Sequence, residues 1–385
     1  MSEMVRLGDV GMIITGNTPK TSDKENYSSK DIPFIKPSDI SETEITPIKF
    51  SEYFISEQAR NKARILPTNS ILVTCIGIIG KIGISKTECA FNQQINAIIP
   101  DLSKCIPEYL AYAIYSRKEI LQNMANAPVV PILNKSQFSN IEIPLPPLPE
   151  QRRIAAVLDK VSELIALRKR QLDLLDEMVK ARFVEMFGDP VRNEKGWDQL
   201  PLIQACKAIF GGGTPSKSHP EYYNGNTPWV TPKDMKRTLI TDSIDHITDD
   251  AIKNSTTNLV PQNSVLMVIR SGILKHTLPV AINIIPVTIN QDMKAFITDE
   301  LISPIFLMYY FKSIESDVLS GVRGVTADNI DFKTFQRSLI PIPPIELQNQ
   351  FADFVQQVEK SKATVQQGID RLNLLKSALM QEYFG

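Results

Sequence analysis

Three polar loops occur twice in this chain, at similar places in its two halves. The first half contains Gly16-Asn17-Thr18-Pro19-Lys20, Lys36-Pro37-Ser38-Asp39 and Asn92-Gln93-Gln94. The second half contains Gly213-Thr214-Pro215-Ser216-Lys217, Thr231-Pro232-Lys233-Asp234 and Asn290-Gln291-Asp292. Lysine, serine and threonine suit phosphate oxygens, and glutamine or asparagine can pair bidentately with adenine in the major groove. The loops therefore favour a shared nucleic-acid-binding role, and their different side chains would let each half read a different sequence.

These loops and nearby turns supply a set of candidate DNA-binding side chains. In the first half we predict DNA contacts from Thr18, Lys20, Lys36, Ser38, Lys81, Gln93 and Gln94. In the second half we predict them from Thr214, Ser216, Lys217, Thr231, Lys233, Arg270, Lys275 and Gln291. An ordinary surface turn would explain any one of these residues, so the prediction depends on the set.

Other motifs that suggest catalysis fail in detail. The run Gly77–Gly83 resembles a phosphate-binding loop, but Cys75 stands where the first glycine belongs and Ile82 where Ser or Thr would bind magnesium. A tight turn between buried strands explains it better. The Pro146-Pro147 and Pro343-Pro344 pairs have apolar neighbours, whereas DNA amino-methyltransferases place Asn or Asp before such a pair to hold the flipped base.

Histidine and cysteine are too sparse for a metal site or for histidine-based catalysis. The three histidines are widely separated, and the four cysteines show no Cys-x-x-Cys pairing. We therefore predict a chain with no catalytic activity, no metal and no cofactor, whose cysteines are reduced, structural thiols.

The chain repeats itself at an interval of about 197 residues. Ile143-Pro144-Leu145-Pro146-Pro147 returns at 340 as Ile340-Pro341-Ile342-Pro343-Pro344, and Phe187-Gly188 returns as Phe384-Gly385. Two copies of one unit can lie about a pseudo-two-fold axis, which suits a partner that is itself two-fold, such as duplex DNA.

Bulk properties agree with a soluble two-domain protein. The chain has 385 residues, of which 43% are hydrophobic and 22% charged, with a net charge of −1. Near-neutral charge means that a DNA-binding role requires the basic residues to be sorted onto one face. The amino terminus lacks the apolar core of a signal peptide, and the apolar run from 71 to 84 is too short to span a bilayer. We expect a cytoplasmic protein with no membrane partner.

Each half begins with short apolar runs that predict a mixed α/β globule. Strands are predicted at 32–36, 70–76 and 95–99, and again at 227–231, 264–270 and 293–297. Helices are predicted to begin at Pro107 and Pro304, where the missing N–H costs nothing. Asn134 and Asp331 are predicted caps of short helices that bury Phe138 and Phe335.

Each globule is followed by a long segment with coiled-coil periodicity. In the first, apolar residues alternate in steps of four and three, apart from Arg168 and Arg182; the second keeps the stripe but carries Lys362 and Lys376 in it. The two helices most simply pair antiparallel, although each could instead pack only on its own globule. About 36 residues span about 54 Å, more than one DNA turn.

We therefore predict an α+β fold with an internal pseudo-two-fold repeat. Two similar mixed α/β domains occupy 1–147 and 189–344. Two long helices occupy 148–188 and 345–385 and pair as an antiparallel coiled coil.

The junction between globule and helix resembles that of a known family. The run Pro144-Leu145-Pro146-Pro147-Leu148-Pro149-Glu150-Gln151-Arg152-Arg153-Ile154, with Gly213-Thr214-Pro215-Ser216 and the segment 226–234, resembles specificity subunits of Type I restriction-modification systems. The resemblance covers the whole chain. It implies two target-recognition domains that each read half of a bipartite double-stranded DNA site, and helices that fix the gap. In the second junction, Asn349 stands where the first has Arg152.

The same resemblance implies partners. Two methyltransferase subunits would use S-adenosylmethionine to methylate adenine, and restriction subunits would translocate and cut DNA. Residues of the junctions are then the candidate partner contacts: Gln151, Arg152, Arg153 and Gln348. Two alternatives stay open, namely a recognition subunit of a related system that cuts on both sides of a bipartite site, and a coiled-coil assembly protein whose globules bind proteins rather than DNA.

Overall fold

The computed structural model describes residues 3–125, 131–321 and 329–385. It divides the chain into two compact units, which we call unit 1 (Met1–Lys169 and Gln367–Gly385) and unit 2 (Arg170–Gln366). The predicted division at 147, 188 and 344 follows the order of segments along the chain. The compact units are instead discontinuous in sequence, because each combines one globule with parts of both long helices.

In its described residues, the globule of unit 1 contains eleven strands and three short α-helices, followed by the first long helix. The strands are β1 (Met4–Arg6), β2 (Gly11–Thr15), β3 (Ile32–Ile35), β4 (Thr46–Ile48), β5 (Phe54–Ile55), β6 (Ile65–Leu66), β7 (Ile71–Thr74), β8 (Ile82–Ser85), β9 (Cys89–Phe91), β10 (Ile95–Pro100) and β11 (Glu142–Pro144). The helices are α1 (Pro107–Ser116), α2 (Lys118–Met124), α3 (Lys135–Ser139) and α4 (Leu148–Phe187).

Two larger sheets and a two-stranded ribbon form this globule. Their strand orders are β2-β10-β7-β8-β4, β5-β3-β9-β6 and β1-β11. The central strand β7 is buried on both sides: Ile71 and Val73 pack in the cluster that contains α1, and Leu72 packs in the cluster that contains Phe91. Successive side chains of a strand point to opposite faces, so β7 joins two cores.

Unit 2 repeats these elements and ends with the start of the second long helix. Its strands are β12 (Gln199–Pro201), β13 (Ala208–Gly211), β14 (Thr227–Val230), β15 (Leu239–Ile240), β16 (Asp245–Ile247), β17 (Leu259–Val260), β18 (Val265–Val268), β19 (Val280–Asn283), β20 (Val287–Ile289), β21 (Met293–Ile297) and β22 (Leu339–Pro341). Its helices are α5 (Leu202–Ala205), α6 (Asp249–Lys253), α7 (Pro304–Ser313), α8 (Glu315–Ser320), α9 (Phe332–Phe335) and α10 (Ile345–Phe384).

The sheets of unit 2 match those of unit 1 strand for strand. Their orders are β13-β21-β18-β19-β15, β16-β14-β20-β17 and β12-β22. The parallel pairs match as well, since β3 runs parallel to β9 and β14 runs parallel to β20. The repeat seen in the sequence is therefore a repeat of topology.

Most of the predicted short elements are confirmed. The helices begin at Pro107 and Pro304, and β21 covers the predicted 293–297. Asn134 and Asp331 accept hydrogen bonds from the backbone N–H groups of Gln137 and Thr334, as capping requires. Phe138 is fully buried, but the prediction for Phe335 was wrong in degree, because that ring is only partly buried against its core.

The two long helices contact each other within each unit. In unit 1, Ile154 and Leu158 of α4 share a core with Phe384 of α10, and the Arg153 guanidinium lies 5.5 Å from the centre of the Tyr383 ring. In unit 2, Phe187 packs 5.5 Å from Phe351, and Asp176 meets Lys362 at 2.9 Å. Residue numbers rise along one helix as they fall along the other, so the antiparallel pairing is confirmed, and the alternative of separately packed helices is wrong.

Charged residues in the predicted apolar stripe have specific surroundings. Arg168 is exposed, so the stripe is interrupted there. Lys362 forms ion pairs with Asp176 and Glu359, both at 2.9 Å.

Gly188 ends α4 with φ of +79°, a conformation that glycine adopts without strain.

The described residues also bear on membranes, metals and thiols. Within 3–125, 131–321 and 329–385, none of the helices combines the length and apolar character needed to cross a membrane. The same residues hold no group of three or more His, Cys, Asp or Glu side chains suited to a metal. All four cysteines are free and buried, and burial raises the pKa of the Cys75 thiol to about 11.

Candidate nucleic-acid interface

In unit 1, the three polar loops lie at one edge of the globule. Parallel pairing places Ile35 opposite Phe91, so the loops that follow β3 and β9 leave the sheet side by side. The Asn92 N–H donates to the carbonyl of Ile35 at 3.1 Å, and the Asn17 N–H donates to the carbonyl of Phe91 at 3.1 Å. The loops at 16–20, 36–39 and 92–94 therefore form one surface, which we call the loop edge of unit 1.

The glycine of the repeated Gly-x-Thr-Pro motif makes this approach possible. A Cβ atom on Gly16 would lie 2.1 Å from the Asn92 carbonyl oxygen, and one on Gly212 would lie 1.8 Å from that of Ile289. No other residue fits such contacts with backbone. The motif thus marks the place where one loop crosses the next.

This crossing brings predicted residues into contact in both units. The Thr18 hydroxyl donates to Oε1 of Gln93 at 2.6 Å, and the Thr214 hydroxyl donates to Oε1 of Gln291. Gln93 and Gln291 are exposed. Each threonine holds the oxygen of its partner amide, whose NH₂ group is a hydrogen-bond donor.

The remaining DNA-binding candidates of unit 1 differ in how far their side chains are exposed to solvent. Lys20 and Ser38 are exposed, whereas Lys36 is half-buried with its ammonium 3.1 Å from the centre of the Tyr53 ring. Gln94 is half-buried and accepts from Nδ2 of Asn92 at 2.9 Å.

Lys81 has a structural position that the prediction did not anticipate. Its side chain is 11% exposed, donates to the Pro37 carbonyl at 3.2 Å and pairs with Glu42 at 3.4 Å. These contacts correct the expectation of a phosphate-binding lysine on an open turn. Lys81 instead holds the loop at 36–39 in place.

The loop edge of unit 2 is built from the equivalent segments 213–217, 231–234 and 290–292. The Asn290 N–H donates to the carbonyl of Val230 at 3.1 Å, and the Gly213 N–H to that of Ile289 at 3.1 Å. Exposed candidates on these loops are Ser216, Lys217, Lys233 and Gln291. Lys275 is exposed at the end of the turn Gly272–Lys275, and Arg270 is exposed after β18.

The structure corrects the expectation that Thr231 contacts DNA. The residue is 8% exposed, and its hydroxyl donates to Asp234 at 2.9 Å, while its N–H donates to the same carboxylate at 2.8 Å. The same backbone bond joins Lys36 to Asp39 in unit 1. Thr231 therefore closes its loop and is not available to a ligand.

Sequence reasoning missed Asp292. Its carboxylate accepts from Nε of Arg270 at 2.6 Å and from Nδ2 of Asn290 at 3.2 Å. The signal was present, because Asp292 occupies the place of Gln94 in the repeated loop, but the pairing joins Arg270, which follows β18, to a residue that precedes β21.

Each junction between a globule and its long helix contains a buried glutamine, and the two glutamines occupy equivalent positions. Nε2 of Gln151 donates to the carbonyls of Pro146 and Lys104 at 2.8 and 2.9 Å, and Oε1 accepts from the Ile106 N–H at 2.9 Å. In unit 2, Nε2 of Gln348 donates to Pro343 and Leu301 at 2.8 and 3.0 Å, and Oε1 accepts from Ser303 at 2.8 Å.

These contacts correct the expectation that Gln151 and Gln348 bind a partner. Each is 0% exposed and satisfies three backbone groups of its own unit. Arg152 and Arg153 are exposed. Arg153 pairs with Glu150 at 2.7 Å, and its hydrogen bonds lower the pKa of that carboxyl.

The model of the Type I restriction modification DNA specificity domain matches the chain twice, at residues 1–177 and 194–374. The chain belongs to this family. Each match takes in one globule and most of the long helix that follows it.

Two curated relatives agree with this membership. The chain is 35% identical over 255 residues to the Type I restriction enzyme EcoR124I/EcoR124II specificity subunit of Escherichia coli, covering 62% of this chain and 60% of that protein. It is 27% identical over 402 residues to the MjaIX specificity subunit of Methanocaldococcus jannaschii, covering 98% of this chain and 91% of that protein.

Solved structures share the fold. A chain from a study of complex assembly and conformational transition in the type I R-M system superposes with a TM-score of 0.62 at 20% identity, covering 99% of this chain and 97% of that one. The Type I restriction-modification system S subunit of M. genitalium gives 0.59 at 12% identity, covering 100% and 96%.

Proposed function

We propose that this chain is the non-catalytic DNA sequence-specificity subunit of a Type I restriction-modification complex in the cytoplasm. Each loop edge reads one half of a bipartite site in double-stranded DNA, and the paired helices set the gap between the halves. The observation that carries the proposal is the twofold loop edge: the same Gly-x-Thr-Pro crossing and the same Thr–Gln pair occur in both units, with different side chains around them.

The loop edges carry donors suited to DNA. Lys20, Ser38, Lys217 and Lys233 are exposed on the loops and can contact phosphates, which fix position without reading sequence. The amides of Gln93 and Gln291 lie beside them and can reach base edges. Divergent loops on one repeated framework are what two different half-sites require.

The partners in this proposal are two methyltransferase subunits and the restriction subunits. The start of α4 is exposed and basic at Arg152 and Arg153, whereas the equivalent positions of α10 carry Asn349 and Gln350. The two helices therefore offer chemically different docking surfaces. S-adenosylmethionine belongs to the methyltransferase subunits, not to this chain.

Methylome sequencing of a host with and without this gene tests the reading role. We expect methylated adenines in a split, asymmetric site that disappears with the gene. A single contiguous site would contradict the proposal. Binding of the assembled complex should also weaken steeply as salt rises, because phosphate contacts release counterions; salt-independent binding would indicate a protein-binding scaffold.

Insertions in the helices test whether the helices set the gap between the two half-sites. Because α4 and α10 are paired, one heptad is inserted into each, at matched positions. Seven residues add about 10 Å, or roughly three base pairs. The gap in the methylated site should lengthen while both half-sites stay unchanged; an unchanged gap would exclude the helices as the spacer.

A further inference from the structure

One side-chain pair of unit 2 has no counterpart in unit 1. Nε of Arg270 donates to Oδ1 of Asp292 at 2.6 Å, and Nη2 forms an ion pair with the same oxygen at 2.6 Å. The side chain of Arg270 is 47% exposed and that of Asp292 is 25% exposed. An exposed arginine, held on one edge by a half-buried carboxylate, thus lies against the loop edge of unit 2.

The equivalent positions of unit 1 are fixed by matching backbone contacts. The Cys75 N–H donates to the carbonyl of Gln94, and the Ile269 N–H donates to that of Asp292, both at 2.8 Å. Ile76 therefore occupies the place of Arg270, and Gln94 the place of Asp292. Unit 1 has neither the arginine nor the carboxylate.

Asp292 holds Arg270 firmly. Its backbone carbonyl also accepts from the Arg270 N–H at 3.2 Å, and its other carboxylate oxygen accepts from Nδ2 of Asn290. The neighbouring residue Gln291 carries the amide that Thr214 orients. The arginine therefore lies beside the amide that is the strongest candidate for base contact in unit 2.

A guanidinium held through Nε and Nη2 keeps a second two-donor edge, formed by Nη1 and Nη2. That edge matches the O6 and N7 acceptors of guanine in the major groove, which is the commonest specific arginine contact in DNA recognition. The carboxylate offsets the positive charge of Arg270, so the pair is less suited to a phosphate, where charge dominates, than to a planar base edge.

We propose that Arg270, positioned by Asp292, reads a guanine in the half-site of unit 2, and that unit 1 reads no base in this way. The inference rests on the proposed function and adds one base to it. Arg270 is the specificity-determining residue, and Asp292 is a positioning residue that acts through it.

The test uses the assembled complex and competition binding. Each base pair of both half-sites is replaced in turn. With the wild-type chain, replacing one G·C pair of one half-site should reduce affinity roughly 5- to 150-fold. With Arg270→Ala that replacement should no longer matter. Arg270→Lys keeps the charge but loses the planar fork, so it should also lose most discrimination at that pair.

Two further variants separate base reading from other effects. Asp292→Ala should weaken discrimination at the same base pair, because Arg270 loses its support. Arg192→Ala, which changes an exposed arginine paired with Asp189 and Glu194 in the connector after α4, should leave every base preference unchanged. Circular dichroism of each variant checks that the fold is retained.

The outcomes are distinguishable. If Arg270→Ala weakens binding to all duplexes alike and reduces the salt slope by about one, Arg270 contacts a phosphate and the inference is overturned. A split site with no guanine that depends on Arg270 overturns it as well. A wild-type complex that recognises no split site overturns the proposed function together with this inference.

Discussion

Units 1 and 2 share a framework and differ on its surface. The sheets have the same strand orders, and Gln151 and Gln348 make the same three backbone contacts. At the loop edges, Ile76 and Gln94 of unit 1 correspond to Arg270 and Asp292 of unit 2. Contacts that fix the backbone are repeated, and side chains that face solvent have diverged. This separation lets one fold present two different reading surfaces.

A second difference lies where the long helices meet the globules. In unit 2, Phe187 packs against the rings of Phe183, Phe306 and Phe351 at 5.0, 4.8 and 5.5 Å. In unit 1, Phe384 packs on Tyr109 at 5.4 Å, within a core that also contains Ile154 and Met380. Unit 2 has an aromatic cluster where unit 1 mixes aromatic and aliphatic side chains.

Removing these rings gives the largest expected effect. Phe187→Ala should destabilise unit 2 by about 3–5 kcal/mol, because it empties a site between packed rings. Phe384→Ala should cost less, since the aliphatic side chains in its core can shift to fill the space more readily than packed rings. Both tryptophans, Trp197 and Trp229, belong to unit 2, so their fluorescence during urea unfolding reports that unit. Hydrogen exchange reports unit 1. Equal losses would mean that the two cores are equivalent after all.

The junction glutamines should behave alike. Gln151→Ala and Gln348→Ala each leave a buried N–H and two carbonyls without their partner, at a cost of about 2–4 kcal/mol. The same two measurements apply, with exposed Arg152→Ala as the control. A large difference between the two variants would show that the junctions are not equivalent despite their matching bonds.

Units 1 and 2 also differ at Lys312 of α7, and the ionisation of this lysine allows a test that depends on pH. In unit 2 it stands where unit 1 has Tyr115, and its ammonium lies 5.1 Å from the centre of the Tyr309 ring. The pKa of Lys312 is lowered to about 8, mainly by burial and also by the charges of Lys362 and Lys180, while Asp176 and Glu359 oppose the shift. The unfolded chain thus binds more protons than the folded one between pH 8 and the ordinary lysine pKa of about 10.5.

The stability of unit 2 should therefore rise with pH across that window and fall as pH drops toward 8. Lys312→Met removes the charge, so at pH 7 it should stabilise unit 2 by about 1–3 kcal/mol, with the gain vanishing near pH 10.5. Tyr115→Phe in unit 1 serves as the matched control, and hydrogen exchange, which reports unit 1, should show no comparable gain for it at pH 7. Urea unfolding followed by tryptophan fluorescence at several pH values measures the difference for unit 2; a gain that is the same at pH 7 and pH 10 would exclude ionisation as its cause.

The smallest expected effects concern the threonines of the loop edges. Thr18→Val and Thr214→Val remove the hydroxyl that orients Gln93 and Gln291, but both sites are at the surface, so stability should change by no more than about 0.5 kcal/mol. Recognition should weaken in one half-site for each variant, and to a similar degree. Competition binding with substituted duplexes measures this. If both variants affected the same half-site, the assignment of one half-site to each unit would be wrong.

The candidate site was only partly predictable from sequence. The loops were found because they repeat, and their polar residues do gather at one edge. Thr231 and Lys81 were misassigned because a turn sequence does not reveal which of its polar groups satisfies the backbone. The Arg270–Asp292 pair was missed because it joins positions 22 residues apart that only strand pairing brings together.

The six predicted strands, the helix starts at Pro107 and Pro304, the caps and the two long helices were determined by the sequence alone. These features depend on hydrogen bonds and side-chain spacing within a few residues, which a linear pattern records directly. Tertiary structure decided that each compact unit borrows from both helices, that Gln151 reaches Lys104 across 47 residues, and that Thr18 meets Gln93 across 75. Such contacts follow from how strands and helices pack, and packing depends on the whole chain rather than on any local stretch of it.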